Sequence, residues 1–389
     1  MKRNSSFNIY TGSIILLFAI APFVMAFDNM DRAELLSARI LPSFIHSIAN
    51  IIRWGLFFFM IMFSLYKITK KNRLFTITKP VFLLSVFYFV QFLYAIIDGT
   101  DYLRFFLMSL LSLLIPPFIG YALHKSVNVL RTFAYIILFF IVLSLIMNGH
   151  LLLSGYRFYG FMNNPNMYGI STVFWIVVLL LSQKFNQLNS KFYSLLFSFL
   201  ILTMIFTGSR NAMVGLILIL LFNSYQNVTK LMYAISFVFL LLFVVSYFVD
   251  LSFIFDRLFN IANAVQDSGR TAIWQRASHA INTNLWWGNG LDANYSIADT
   301  GNMHNCYIRF LLNMGVFFTV VSLLFYFGSI ISVLIKRRSV PLLLGAFLLT
   351  FALMNIGEDY FIGLGSSIFI YILFIYGFIN YFLTKDVVT

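Results

Sequence analysis

The stretch NCYIRFLLNMGVFFTVVSLLFYFGSIISVLIKRR, residues 305–338, decides the fold. It holds a single charge, Arg309, until it closes on Lys336, Arg337 and Arg338. A transmembrane helix needs about 20 consecutive apolar residues, and a basic cluster directly after one marks the cytoplasmic side. Residues 305–335 are therefore expected to cross a membrane, with 336–338 inside. Working outward, the same pattern recurs at 9–27, 47–66, 80–97, 105–123, 132–149, 167–182, 192–207, 211–223, 231–249, 340–356 and 361–383. About 12 spans follow, which makes this an all-α polytopic membrane protein.

Alternating the sides puts every lysine on one of them: Lys2, Lys67, Lys70, Lys71, Lys79, Lys125, Lys184, Lys191, Lys230, Lys336 and Lys385. That side is cytoplasmic, and an even number of spans leaves both termini there. The other side keeps arginines without lysines, and nearly all the acidic residues. Arginine suits planar, bidentate contact with phosphate or carboxylate, so the chemistry is expected on the outer face.

Composition agrees with this reading. Of 389 residues, 61% are hydrophobic and 10% charged, against roughly 25% charged in soluble domains; mean hydropathy is +0.89. A net charge of +13 would suggest nucleic acid in a soluble protein. Here it lies largely in short loops between spans, so the side rule accounts for it and no nucleic-acid partner is expected. One cysteine, Cys306, excludes an intrachain disulfide and a multi-cysteine metal site. The first apolar run has no small-residue cleavage site after it and reads as a retained span.

Three outer stretches are longer than connectors need. Residues 28–46 read as an amphipathic interfacial segment, and residues 150–168 carry Gly, Pro and Asn turn signals. Residues 250–304 form one long loop, a cap within a single membrane domain over 1–389. In it Ile254, Leu258, Ile261 and Val265 keep helical spacing, and 271–283 suit a second helix. WWGNG (286–290) is a turn with an aromatic anchor at the interface.

Four motifs on this face carry candidate chemistry. In TGSRNAMVG (207–215) a span ends, Arg210 follows and a short apolar helix begins. Amides at that helix start, with the guanidinium, form an anion cradle; alternatively Arg210 snorkels to the interface. In DSGRTAIWQRA (267–277) Arg270 opens the second loop helix behind Ser268 as N-cap, with Arg276 two turns on. The alternative for both is a solvated charge. His304, in NMHNCYIRFLLNMG (302–315), can take a proton from a sugar hydroxyl as general base. A lone interfacial histidine is otherwise structural, and His46, His124, His150 and His279 have no polar company that suggests a site. Asn305, Arg309 and Asn313 continue at helical spacing and would line the same cavity.

In YRFYGFMNNPNMYG (156–169) Arg157 stands with Asn163, Asn164 and Asn166, amides that suit sugar hydroxyls or plain turn chemistry. Glu358 and Asp359, at the end of the eleventh span, either pair with these arginines or face water. No HxxH, HExxH or DxD pattern occurs, so no metal or other cofactor is expected.

Taken together, RFYGFMNNPNMYG, TGSRNAMVG, SGRTAIW with WWGNG downstream, and MHNCYIRFLLNMG resemble, in order, the O-antigen ligase and O-antigen polymerase superfamily of bacterial envelope glycosyltransferases. The resemblance covers roughly residues 150–330. It implies a GT-C-like helical fold in the bacterial inner membrane, with 250–304 as a periplasmic loop and the active site facing the periplasm. It also implies a metal-independent transfer of glycan from undecaprenyl pyrophosphate to an acceptor hydroxyl, inverting the anomeric carbon. Arg210 and Arg270 would bind the pyrophosphate and His304 would act as base, with Arg157, Arg276, Asn305, Arg309 and Glu358 touching substrate. Membrane lipids and a chain-length regulator complete the expected partners.

Ligases of the superfamily often carry a larger outer loop and an acidic residue soon after the His-Asn pair; here Cys306 and Tyr307 follow. The reading therefore leans to a polymerase that elongates lipid-linked repeats. A ligase acting on lipid A core is the alternative, and a lipid-linked oligosaccharide flippase is the third. A flippase would place charge near the bilayer midplane and show repeated halves, and the sequence shows neither.

Overall fold

The computed structural model describes residues 8–24, 41–72, 74–153, 156–162, 164–224, 270–298, 303–336, 339–361, 364 and 366–385, with single positions at 236, 240 and 243. Thirteen α-helices lie among them. They are α1 (Ile9–Ile20), α2 (Ser43–Thr69), α3 (Lys79–Asp98), α4 (Tyr102–Lys125), α5 (Val129–Asn148), α6 (Pro165–Lys184), α7 (Ser190–Phe206), α8 (Arg210–Ser224), α9 (Arg270–Thr283), α10 (Ala293–Ile297), α11 (Cys306–Ile335), α12 (Leu342–Met354) and α13 (Ser367–Lys385). Seven candidate membrane spans are long and apolar enough to cross: α2 to α6, α11 and α13; α1, α7, α8 and α12 are shorter and apolar. The protein is a multi-pass membrane protein. Every expected span has a helix in its place except 231–249, nearly all of which lies outside the described residues, as do most of 28–46, the helix read over 254–265, Ser268 and Asn163. The helix expected over 271–283 is α9.

The chain divides into two compact units. One comprises Met1–Trp54 with Lys125–Ile261, the other Gly55–His124 with Ala262–Thr389. In the first unit α6 is apolar on every side and buried from Tyr168 to Ser182, as a core helix must be. Aromatic rings join its neighbours: Phe18 of α1 stacks on Phe133 of α5 at 4.2 Å, and Phe140 of α5 stacks on Trp175 at 5.1 Å. In the second unit α13 is buried from Ser367 to Phe382. By contrast α2 exposes Ile48, Ile51, Phe58 and Met62, the apolar flank of a lipid-facing helix.

The structure corrects one expected span. Residues 305–335 read as a single crossing, yet α11 breaks at Gly315 (φ 67°, ψ 179°). Phe310 and Tyr326 would stand about 24 Å apart along a straight helix. Instead both rings reach Phe87 of α3, at 6.1 and 5.4 Å, and both reach Phe361, at 6.0 and 4.7 Å. The chain therefore turns back at Gly315, and two half-helices, 306–314 and 316–335, lie along α3. Tyr94 sits at the bend, its hydroxyl donating to the Asn313 carbonyl at 2.6 Å and its ring meeting Phe318 at 5.1 Å. The longer half alone reaches about 30 Å, the full apolar thickness.

A bend strands backbone groups, which in a membrane protein must find partners. The WWGNG turn supplies them. Asn289 and Gly290 N–H donate to the carbonyls of Leu312 (2.9 Å) and Asn313 (3.1 Å), while Val316 and Phe317 N–H donate to those of Leu285 (2.8 Å) and Trp286 (3.3 Å). The two backbones are too close for side chains: a Cβ on Gly315 would lie 2.5 Å from Gly288 N, and one on Gly288 2.3 Å from the Asn313 oxygen. Asp98, ending α3, accepts the Leu291 N–H at 2.9 Å and ties the turn to the helix top.

Candidate active site

The bend carries the start of α11 back along α3, towards the level of Phe87. There it meets the loop after α12. With thirteen residues, α12 rises only about 20 Å, so this loop stops short of a full crossing. The Cys306 N–H is shared between the carbonyls of Asn355 (3.0 Å) and Glu358 (3.2 Å). Asn305 caps the helix, its side-chain oxygen accepting the N–H groups of Tyr307 and Ile308, both at 3.0 Å.

His304 immediately precedes this cap in the left-handed region (φ 49°), a conformation that persists only where the surroundings enforce it. They do so on both sides. Met303 is buried with Ala277, Ala298 and Leu312, and its carbonyl accepts from Trp274 Nε1 at 2.9 Å. His304 Nδ1 thereby stands 3.4 Å from Arg270 Nη2 and 3.8 Å from Glu358 Oε2. Arg270 Nη2 lies 3.7 Å from Glu358 Oε1, and Nη1 donates to the Gly357 carbonyl at 3.2 Å. A base, a carboxylate and a guanidinium from three distant segments thus share one partly shielded spot, where charges act more strongly than in bulk water.

Of the two readings left for the acidic pair, the structure shows pairing. Glu358 pairs with Arg270 and His304, and Asp359 with Arg309. The latter pair is largely buried, so Arg309 spends its charge on locking α11 to the loop. Asn313 likewise serves the frame, donating to the Leu291 carbonyl at 2.8 Å. Arg276 is exposed on α9. Nothing in the sequence announced Trp274 as a positioning group; pairing of Asp359 with an arginine was one of the two readings, but not which arginine, and the adjacency of two acids at a span end was the available signal.

In the first unit the other two motifs also meet. Arg157 Nε donates to the Thr207 carbonyl and its Nη2 to Asn166 Oδ1, both at 2.8 Å. The Phe158 N–H donates to the Phe206 carbonyl at 2.8 Å, and Asn164 caps α6 through the Asn166 N–H. The turn at 207–209 uses Gly208 at φ 57° and Ser209 as acceptor for the Ala212 N–H, after which Arg210 opens α8, partly exposed.

Residues 195–321 match the family model described as O-antigen ligase. That stretch is similar to the O-antigen ligase family. Enzymes of this family transfer polyprenyl-linked oligosaccharides. No curated protein matches the chain. The matched stretch takes in Arg210, Arg270, Arg276, His304, Asn305 and Arg309; Arg157 and Glu358 fall outside it. The family's activity is ligase- or polymerase-type transfer of lipid-linked glycans, in the biosynthesis of surface polysaccharide.

Proposed function

We propose that this protein is an O-antigen polymerase, transferring glycan from undecaprenyl pyrophosphate to a hydroxyl of a second lipid-linked repeat unit at the periplasmic face. The observation that carries the reading is the meeting of His304, Arg270 and Glu358. Glycosyl transfer from a pyrophosphate needs a base on the acceptor and cationic groups on the leaving group. The acceptor oxygen attacks the anomeric carbon from the far side, the bond to pyrophosphate breaks, and the hydroxyl proton passes to His304. Configuration inverts. His304 Nδ1 faces the Arg270 guanidinium at 3.4 Å and Glu358 at 3.8 Å, and the carboxylate stabilises the imidazolium that forms when the ring takes the proton. Arg270 meets charge gathering on the leaving oxygens, with a forked geometry suited to phosphate. The resemblance adds Arg210 as a second pyrophosphate ligand and Arg157 as a substrate contact.

The family description supports a second reading, ligation to lipid A core. A lipopolysaccharide gel from a strain lacking the gene separates the two, alongside analysis of its undecaprenyl-linked glycans. Core bearing a single repeat, with no ladder, means polymerisation. Bare core with long polymer stranded on the carrier means ligation. An unchanged ladder rejects both.

A further inference from the structure

A cleft of about 490 Å³ opens at the bend of α11, walled by Tyr94, Asp98, Asn284, Trp287 and Phe318, a volume within the roughly 300–1,000 Å³ of small-ligand sites. Its chemistry differs from that of the His304 cluster. No basic residue lines it, so it is not a place for pyrophosphate. Its polar lining offers acceptors. Asp98 commits Oδ2 to the Leu291 N–H and the Thr100 hydroxyl, and its Oδ1 takes no bond among the described residues. Asn284 donates an amide N–H to the Gly288 carbonyl, which leaves its oxygen to accept from a ligand. Trp287 is 59% exposed, and its ring is braced by Phe317 and Phe318 at 5.7 and 6.3 Å. An uncovered, immobilised aromatic face beside carboxylate and amide oxygens suits a neutral ring that carries hydroxyl donors.

We infer that this cleft is a glycan subsite that reads sugars of the donor remote from its pyrophosphate, with one ring stacked on Trp287 and hydroxyls bonded to Asp98 and Asn284. The inference rests on the proposed glycan transfer. Its position fits: the 306–314 half-helix separates the cleft from His304 by about 13 Å, a gap that an oligosaccharide bridges and a monosaccharide does not. The same WWGNG turn that locks the bend thus forms one wall of the subsite.

The competing role for Trp287 is membrane anchoring, and the test separates the two. The probe is lipid-linked glycan extracted from a strain lacking the gene, used intact and after glycosidase trimming of its non-reducing end. Trp287→Leu stays apolar but loses the aromatic face, whereas Trp287→Tyr keeps both. For the intact donor Trp287→Leu should raise KM about tenfold with kcat retained, the size of a lost aromatic contact. Trp287→Tyr should stay near native. Trimming should raise the wild-type KM by a similar factor and leave that of Trp287→Leu unchanged. Equal losses on intact and trimmed donor would make Trp287 an anchor and overturn the subsite. A native KM in Trp287→Leu beside an inactive His304→Ala would remove the subsite alone. A wild-type protein that transfers nothing from either donor, indistinguishable from His304→Ala, removes the transfer reading and the subsite with it.

Discussion

His304, Arg270 and Glu358 divide the proposed chemistry by functional group, so each substitution has its own signature. His304→Ala should abolish transfer in membranes while leaving expression and insertion intact; normal activity would remove the base. Arg270→Lys keeps the charge but loses the fork. A loss of about a hundredfold or more in kcat is expected, as for removal of one oxyanion donor, and near-native turnover would reduce Arg270 to a point charge. Arg210→Ala should likewise abolish transfer, tested separately because Arg210 belongs to the other unit. His304 and Arg270 stand out in the sequence, each beside turn signals where few residues can do acid–base or phosphate chemistry, and the structure brings them together. The partners were not legible: Glu358 lies 54 positions from His304, and no local pattern encodes which charge a loop will bring to it.

The bend in α11 is where hydropathy misled. Both halves are apolar, so a scan sees one run and no reversal. The clue was length: thirty residues where about 20 suffice, with glycine at 315. Gly315→Ala should lower the unfolding midpoint in detergent by the equivalent of about 2 kcal/mol or more, since a side chain at that φ and ψ is strained and meets the Gly288 and Trp286 backbone. A midpoint equal to wild type would show that the lock is dispensable. The Arg309–Asp359 pair gives a second test of the frame. Arg309→Met alone strands a buried carboxylate and should cost about 3–5 kcal/mol, whereas Arg309→Met with Asp359→Leu should recover most of it. Failure of the double variant to recover stability would mean that the pair does more than offset its own burial.

Across the whole molecule, the apolar runs announce the helices, because lipid thickness acts on composition alone, and the lysines predict the direction of the spans. Depth does not follow, because it depends on where a helix folds back. The orientation can be measured directly. In a Cys306→Ser background, Asn284→Cys should react with a membrane-impermeant maleimide added outside spheroplasts, and Lys70→Cys should not; the reverse pattern would invert the topology. The bend also has a consequence for how the protein is made. Residues 285–290 leave the ribosome before 312–317 do. Unbent, 306–335 would run about 45 Å, some 15 Å longer than the hydrocarbon thickness. That excess would part His304 from Arg270 and Glu358, so on the proposed function newly inserted chains should be inert until the turn captures the bend. Cys306, buried in the finished protein, is the natural clock: in a pulse-chase it should label readily in young chains and become protected in old ones.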